Sequence, residues 1–179
     1  RELKIEDLID RKLIEIDKSE VCESFRGKTV LVTGAAGSIG AELCRQLISL
    51  GIKRLIMCDS AETPIHRLKM ELVESCTDVE FIPIIADVRM KVRLRSIFKN
   101  YRPDLVFHAA AYKHVPLMEN NPSEAVILNV LGSKNVADLC LEYGVEKMVM
   151  ISSDKAVNPT NVMGASKRIA EIYVQSLGV

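Results

Sequence analysis

Thr29-Val30-Leu31-Val32-Thr33-Gly34-Ala35-Ala36-Gly37-Ser38-Ile39-Gly40 is the stretch that decides the fold. Its first five residues are all β-branched or leucine, which reads as a short strand buried on both faces. The glycines that follow let the backbone turn tightly at Gly34, approach a bound group at Gly37 and pack a helix close to the sheet at Gly40. Ala36, Ser38 and Ile39 complete the loop. The helix opening at Ser38 offers unpaired N–H groups and a positive dipole end to the same point, which suits a pyrophosphate. An acid at the end of the next apolar run, Asp59, lies roughly 20 residues on, where a carboxylate can accept hydrogen bonds from ribose hydroxyls. It would repel a 2′-phosphate, and Ser60, Ala61 and Glu62 include no arginine to neutralise one, so NAD is expected rather than NADP. Asp59 can also cap the helix after it, and the two roles are compatible.

From Lys28 outward the chain alternates short apolar runs with helical patterns. The expected strands are Thr29–Thr33, Arg54–Cys58, Glu80–Ile85, Leu105–His108 and Lys147–Ile151. The expected helices are Ser38–Leu50, Glu62–Ser75, Lys91–Asn100, Ser123–Tyr143 and Asn161–Leu177, with Gly51, Gly144 and Pro103 marking ends. This is the sequence form of an α/β, doubly wound parallel sheet of Rossmann type, with strand order 3-2-1-4-5. Residues 28–179 make the NAD-binding domain. Residues 1–27 form a charged lead-in, with Leu3, Ile5, Leu8, Ile9, Leu13, Ile14 and Ile16 suggesting a short docked helix. The chain opens on Arg1 rather than Met and closes on a helical pattern with no strand behind it, so it reads as a fragment of a larger enzyme.

Bulk properties narrow the function. At 48% hydrophobic and 27% charged the composition is that of an ordinary soluble globular domain. Lys plus Arg and Asp plus Glu are both 24, so no net charge points to nucleic acid or to an anionic membrane surface. Five dispersed cysteines without a C-x-x-C pair read as reduced thiols of a cytoplasmic protein. Three histidines without a ligand-like spacing predict no metal site. No apolar run reaches the roughly 18 residues a membrane span needs, and no signal peptide is visible.

Three further segments carry candidate site residues. Asp87 and Val88 follow the third strand, where an adenine edge would lie, although Asp87 could equally cap a helix. His108-Ala109-Ala110-Ala111-Tyr112-Lys113-His114-Val115-Pro116 follows the fourth. Its three alanines keep the backbone open beside a dinucleotide. His108 reads as packed or phosphate-side more than catalytic, while Lys113 and His114 either face a substrate or decorate a loop. Ile151-Ser152-Ser153-Asp154-Lys155-Ala156-Val157-Asn158-Pro159 and Met163-Gly164-Ala165-Ser166-Lys167 follow the fifth.

These runs, with Asn129, Gly132 and Asn135 in Asn-x-x-Gly spacing, resemble the extended short-chain dehydrogenase/reductases. Over residues 28–179 the similarity is strongest to the UDP-N-acetylglucosamine 4,6-dehydratases of bacterial polysaccharide and glycan biosynthesis. One departure stands out: the tyrosine of the usual Tyr-x-x-x-Lys is Met163, which has no proton to relay, while Lys167 is kept one helical turn on. The long, membrane-tethered dehydratases of the group look similar in this respect.

The resemblance implies a lyase that converts a UDP-N-acetylhexosamine to a 4-keto-6-deoxy sugar through transient oxidation at C4. It assigns Asp154 as the acid for the leaving C6 hydroxyl, Lys155 as the base for C5, and Lys167 as the holder of the nicotinamide ribose. Ser152, Ser153, Lys113, His114 and Asn158 would face the sugar nucleotide. A free lysine titrates near ~10.4, so Lys155 must be desolvated to act as a base, and the same desolvation would lift Asp154 toward its protonated form. The resemblance further implies a cytoplasmic domain of a protein anchored upstream in the inner membrane, an inactive fragment when alone, and a homo-oligomeric full-length enzyme. A nucleotide-sugar epimerase and a non-catalytic NAD-binding relative are the alternatives.

Overall fold

The computed structural model describes residues 18–178; the lead-in pattern from Leu3 to Ile16 lies outside the described residues. Helix α1 (Lys18–Phe25) leads into β1 (Thr29–Thr33), α2 (Ser38–Ile48), β2 (Arg54–Asp59), α3 (Glu62–Ser75), β3 (Glu80–Ile85), α4 (Lys91–Tyr101) and β4 (Leu105–His108). Then come α5 (Val115–Asn120), α6 (Pro122–Ala125), a π-helical stretch (Val126–Gly132), α7 (Ser133–Tyr143), β5 (Lys147–Met150), a 3₁₀ turn (Asp154–Ala156) and α8 (Val162–Leu177). The five strands form one sheet in the order β3-β2-β1-β4-β5, and every pairing is parallel.

Alternation along β1 shows why its residues are apolar throughout. Leu31 points into a core shared with Ile56, Val106, Leu94 and Val136, while Val30 and Val32 enter the opposite core with Leu55, Met57, Leu47 and Leu68. Helices α4, α7 and α8 thus cover one face, and α2 and α3 cover the other. All five residues of β1 are buried. The outer strands depart from the expected two-sided burial: Pro83 and Ile85 of β3 and Val149 of β5 are exposed. They sit at the sheet edges, where a proline also removes no ladder donor that the sheet needs.

The helix boundaries differ from expectation in instructive places. Helix α2 stops at Ile48, because Ser49 and Leu50 bond three residues back, to Gln46 and Leu47, and the chain tightens before Gly51. The expected single helix Ser123–Tyr143 is continuous but π-helical in its middle, and the loop expected around Val115 is helix α5, with Pro116 in its first turn.

The α4–α7–α8 face is tied by Asp138, which accepts from Lys91 Nζ (2.7 Å), Lys134 Nζ (2.7 Å) and the Tyr173 hydroxyl (2.6 Å). Burial pushes the carboxyl up, but the bonds from Lys134, Lys91 and Tyr173 outweigh it and hold Asp138 well below the usual carboxylate range. A folded-state value below the unfolded ~3.9 means that the stabilisation is present above that pH and is lost as pH falls. Asp138→Asn is therefore expected to cost about 2 kcal/mol at neutral pH and progressively less on acidification. Denaturant midpoints of both proteins between pH 7 and pH 3 check this, and parallel curves would contradict it.

Candidate functional site

The registers bring the carboxyl ends of the strands level. Thr33 pairs with Cys58 and His108, and Asp59 pairs with Ile85, so Gly34, Ser60, Ala86 and Ala109 leave the sheet side by side. Strand order reverses at β1, since β2 and β3 lie on one side and β4 and β5 on the other. A crevice opens at that switch point, the usual ligand position in this architecture.

The glycine loop forms its floor. Gly34 has φ +68°, and a Cβ there would lie 2.5 Å from the Ala110 nitrogen. A Cβ on Gly40 would overlap the Gly34 carbonyl oxygen. Gly37 differs: its φ is −73°, and a Cβ would meet only the Gly34 oxygen, at 3.3 Å. The chain itself therefore requires glycine at 34 and 40, while at 37 the demand comes from open space. Helix α2 begins at that space with no side-chain cap and no acid in its first turn, leaving its positive end available to an anion. Asp59 braces the loop, accepting the Ala36 N–H and the Ala61 N–H at 2.9 Å each. The residue preceding α3 is Ala61, so Asp59 closes a turn ahead of that helix rather than capping it.

The crevice has two parts. The first, about 190 Å³, is lined by Gly34, Gly37, Asp59, Asp87, Val88, Ala109, Ala110, Ala111 and Tyr112, together with Cys58, Ser60, Ala86 and Leu128. Ala36, Ser38 and Gly40 are not on its wall; Ala36 serves through its N–H, and Gly40 through close packing. Asp87 is held by Arg89, whose Nε and Nη2 lie 2.6 to 3.0 Å from its oxygens, and this keeps the carboxyl below its usual range. Arg89 also reaches Glu124 at 3.0 Å. The residue before α4 is Met90, so Asp87 is not that helix's cap.

The second part, about 270 Å³, shares Ala109, Ala111 and Tyr112 with the first and adds Ile39, Lys113, Ser152, Ser153, Lys155, Met163 and Lys167. Lys167 is buried and donates from Nζ to the Ile151 carbonyl at 2.5 Å, which leaves its ammonium form two further protons for a ligand, while burial pushes its pKa down. Met163 is buried one turn earlier. A Cβ on Gly164 would overlap the Lys155 carbonyl oxygen, so this glycine lets α8 seat directly on the Asp154–Ala156 turn. His114, exposed just ahead of α5, and Asn158, exposed with φ +48°, are not on the crevice wall. His108 is buried beneath the crevice.

In the chain by itself the acid–base pair is not desolvated. Asp154 is 84% exposed, accepts from Ser153 Oγ at 3.0 Å and from Lys155 Nζ at 3.3 Å, and lies below the usual carboxylate range through the Ser153 hydroxyl first and Lys155 second. Helix α8 packs on the back of the turn, and the Asp154 carboxylate faces outward at the rim. Tyr112 and Asn129 were missed as site residues. Asn129, buried in the π-helical stretch, accepts the Tyr112 N–H at 2.8 Å and donates to the Tyr112 carbonyl at 3.1 Å. Its Asn-x-x-Gly spacing was a legible signal, but its partner was not.

Fold and crevice together define a Rossmann-type dinucleotide-binding domain of the extended short-chain dehydrogenase/reductase kind. Residues 30–178 match the polysaccharide biosynthesis protein family, and the chain belongs to it. It is 48% identical over 178 residues to the capsular polysaccharide biosynthesis protein CapD of Staphylococcus aureus, an alignment covering 99% of this chain and 30% of that protein. It is 38% identical over 143 residues to a UDP-N-acetylglucosamine 4,6-dehydratase (inverting) of Campylobacter jejuni, covering 80% and 41%. It is 36% identical over 151 residues to a UDP-glucose 4-epimerase of Rickettsia canadensis, covering 82% and 42%. Among solved structures, Pen from Bacillus thuringiensis superposes with a TM-score of 0.78 at 34% identity, covering 86% of this chain and 47% of that one. MoeE5 in complex with UDP-glucose and NAD superposes with a TM-score of 0.70 at 26% identity, covering 84% and 49%. The chain thus spans less than half the length of each.

These relatives correct the expectation of a lyase. Dehydratases are lyases and epimerases are isomerases, and the chain is similar to both at nearly the same identity. The cofactor-binding portion is what the two share, so it does not single out one reaction class. No helix among the described residues is long and apolar enough to cross a membrane.

Proposed function

We propose that this chain holds NAD along the two-part crevice and serves the oxidation of a UDP-N-acetylhexosamine at C4 in polysaccharide biosynthesis. The observation carrying this is the continuity of the bare Gly37 floor, where a pyrophosphate fits, with a second hollow bearing Lys155 and Lys167. Bound NAD supplies the reversible oxidation at C4. The chain's own residues do the rest. The start of α2 binds the pyrophosphate, Asp59 accepts from the adenosine ribose, and Lys167 donates to the second ribose. The assignment of NAD over NADP rests on the carboxylate of Asp59.

The finer reading is dehydration across C5 and C6. Once C4 is a ketone, the C5 proton is acidic; Lys155 Nζ would take it while Asp154 gives a proton to the departing C6 hydroxyl, which leaves as water, and the C5–C6 double bond so formed would receive the hydride removed from C4 at C6 and the proton from Lys155 at C5, giving the 4-keto-6-deoxy sugar. Because Asp154 is exposed and ionised on its own, the sugar nucleotide must cover the rim turn before this pair is desolvated. Epimerisation at C4 is the second reading, favoured by the 36% identical epimerase.

Two measurements on the full-length protein test this. Calorimetric titration is expected to give tighter binding of NAD than of NADP; the reverse order would remove the role given to Asp59. Incubation with UDP-N-acetylglucosamine followed by NMR is expected to show a 4-keto-6-deoxy sugar. A C4 epimer would select the second reading, and an unchanged sugar would count against both.

A further inference from the structure

Beneath the crevice runs a buried chain of polar side chains that the proposed chemistry does not use. Thr33, at the end of β1, and His108, at the end of β4, meet at 2.6 Å through Oγ1 and Nδ1. His108 Nε2 lies 2.9 Å from Ser133 Oγ, and the Ser133 hydroxyl donates to the Asn129 carbonyl at 2.6 Å. Asn129 then grips the Tyr112 backbone at both its N–H and its carbonyl, and donates to Ser166 Oγ at 2.9 Å. Ser166 in turn donates to the Met163 carbonyl at 2.7 Å. Thr33, His108, Ser133, Asn129 and Ser166 are each at most 2% exposed.

The proton inventory of this chain fixes the state of the histidine. Ser133 has one hydroxyl proton and gives it to Asn129, so His108 Nε2 must carry a hydrogen and donate. Nδ1 is then the acceptor for the Thr33 hydroxyl. Burial first, and the nearby Lys167 second, push the imidazole down to about 3, so it stays neutral and keeps this single tautomer at physiological pH. A buried ring that is neutral and saturated at both nitrogens is no acid or base for the sugar; it is a rigid joint.

We infer that His108 is a positioning residue for the cofactor crevice, one that holds the Tyr112 wall in fixed relation to the glycine loop. The inference rests on the reading of the crevice as a dinucleotide site. The joint has two ends: Thr33 immediately precedes Gly34, and the Ser133–Asn129 link ends on Tyr112, the residue where the two parts of the crevice meet. The link crosses the π-helical stretch, whose widened turn is held by the Ser133 hydroxyl on the Asn129 carbonyl. Without the joint, the backbone bond from the Ala109 N–H to the Thr33 carbonyl still ties β4 to β1, but the side-chain link from the end of β1 to the Asn129–Tyr112 wall is lost.

The test uses the full-length protein and reads NADH affinity by fluorescence titration beside thermal stability. His108→Phe keeps an aromatic ring, slightly larger, and removes both hydrogen bonds; it is expected to weaken NADH binding by on the order of tenfold or more, because an ångström of misplacement in a preorganised site is felt strongly. Leu72→Ala, in the opposite core, serves as a control for stability alone, and it is expected to lower Tm without changing NADH affinity. His108→Gln, whose amide can donate and accept together, is expected to recover part of the loss. Should His108→Phe fail to fold, Ser133→Ala cuts the same link and is expected to weaken binding several-fold. Wild-type NADH affinity in His108→Phe, or in Ser133→Ala where that variant is the one used, overturns the inference and leaves the dinucleotide site standing. Failure of the wild-type protein to bind NADH overturns both.

Discussion

Asp154→Asn and Lys155→Met, made separately in the full-length protein, are each expected to lower turnover by about 10²–10⁴ while leaving NAD affinity unchanged. A positioned acid or base acts only as the transition state forms, so its loss appears in kcat and not in ground-state binding. The geometry supports the separation. Asp154 and Lys155 sit on the rim turn, away from the glycine floor, and contact one another and Ser153 but no residue of the first part of the crevice. Met163→Ala is expected to cost far less in rate, since a thioether has no proton to give, and its effect should fall on stability because the side chain is 2% exposed. Steady-state kinetics with UDP-N-acetylglucosamine checks all three. A near-normal rate in Asp154→Asn would remove the catalytic assignment and leave the cofactor crevice.

The second large effect separates two glycines of one loop. Gly40→Ala is expected to destabilise the fold by about 3 kcal/mol, because its methyl group would overlap the Gly34 carbonyl and neither backbone segment has room to move. In a domain of this size that is roughly a 6–12 °C fall in Tm. Gly37→Val is expected to leave Tm almost unchanged, since its φ of −73° and ψ of 163° are ordinary for valine and a Cβ meets one atom at 3.3 Å. The same side chain would fill the space before α2 and is expected to abolish NAD binding. Calorimetry and thermal melts on both variants decide the matter. Equal loss of binding and stability in the two would show that Gly37, too, is held by packing rather than by a ligand.

The sequence by itself determined the framework. Runs of β-branched residues at fixed distance from helical patterns named all five strands within a residue, because a sheet covered on both faces has to be apolar throughout and only its edges escape that demand. The reversal of order at β1 followed from the doubly wound class that the glycine loop after the first strand marks, and the glycine loop and Asp59 followed from local geometry that a short segment carries on its own. What only the tertiary structure decided are the relations between distant segments. That Asn129 would hold Tyr112 and that His108 would be fixed between Thr33 and Ser133 depend on partners 17 to 75 residues away. The state of Asp154 is of the same kind. The role that the resemblance implied asked for a desolvated acid, yet exposure is a property of what packs over a residue, and at the rim of this crevice the carboxylate is exposed beside Ser153 and Lys155.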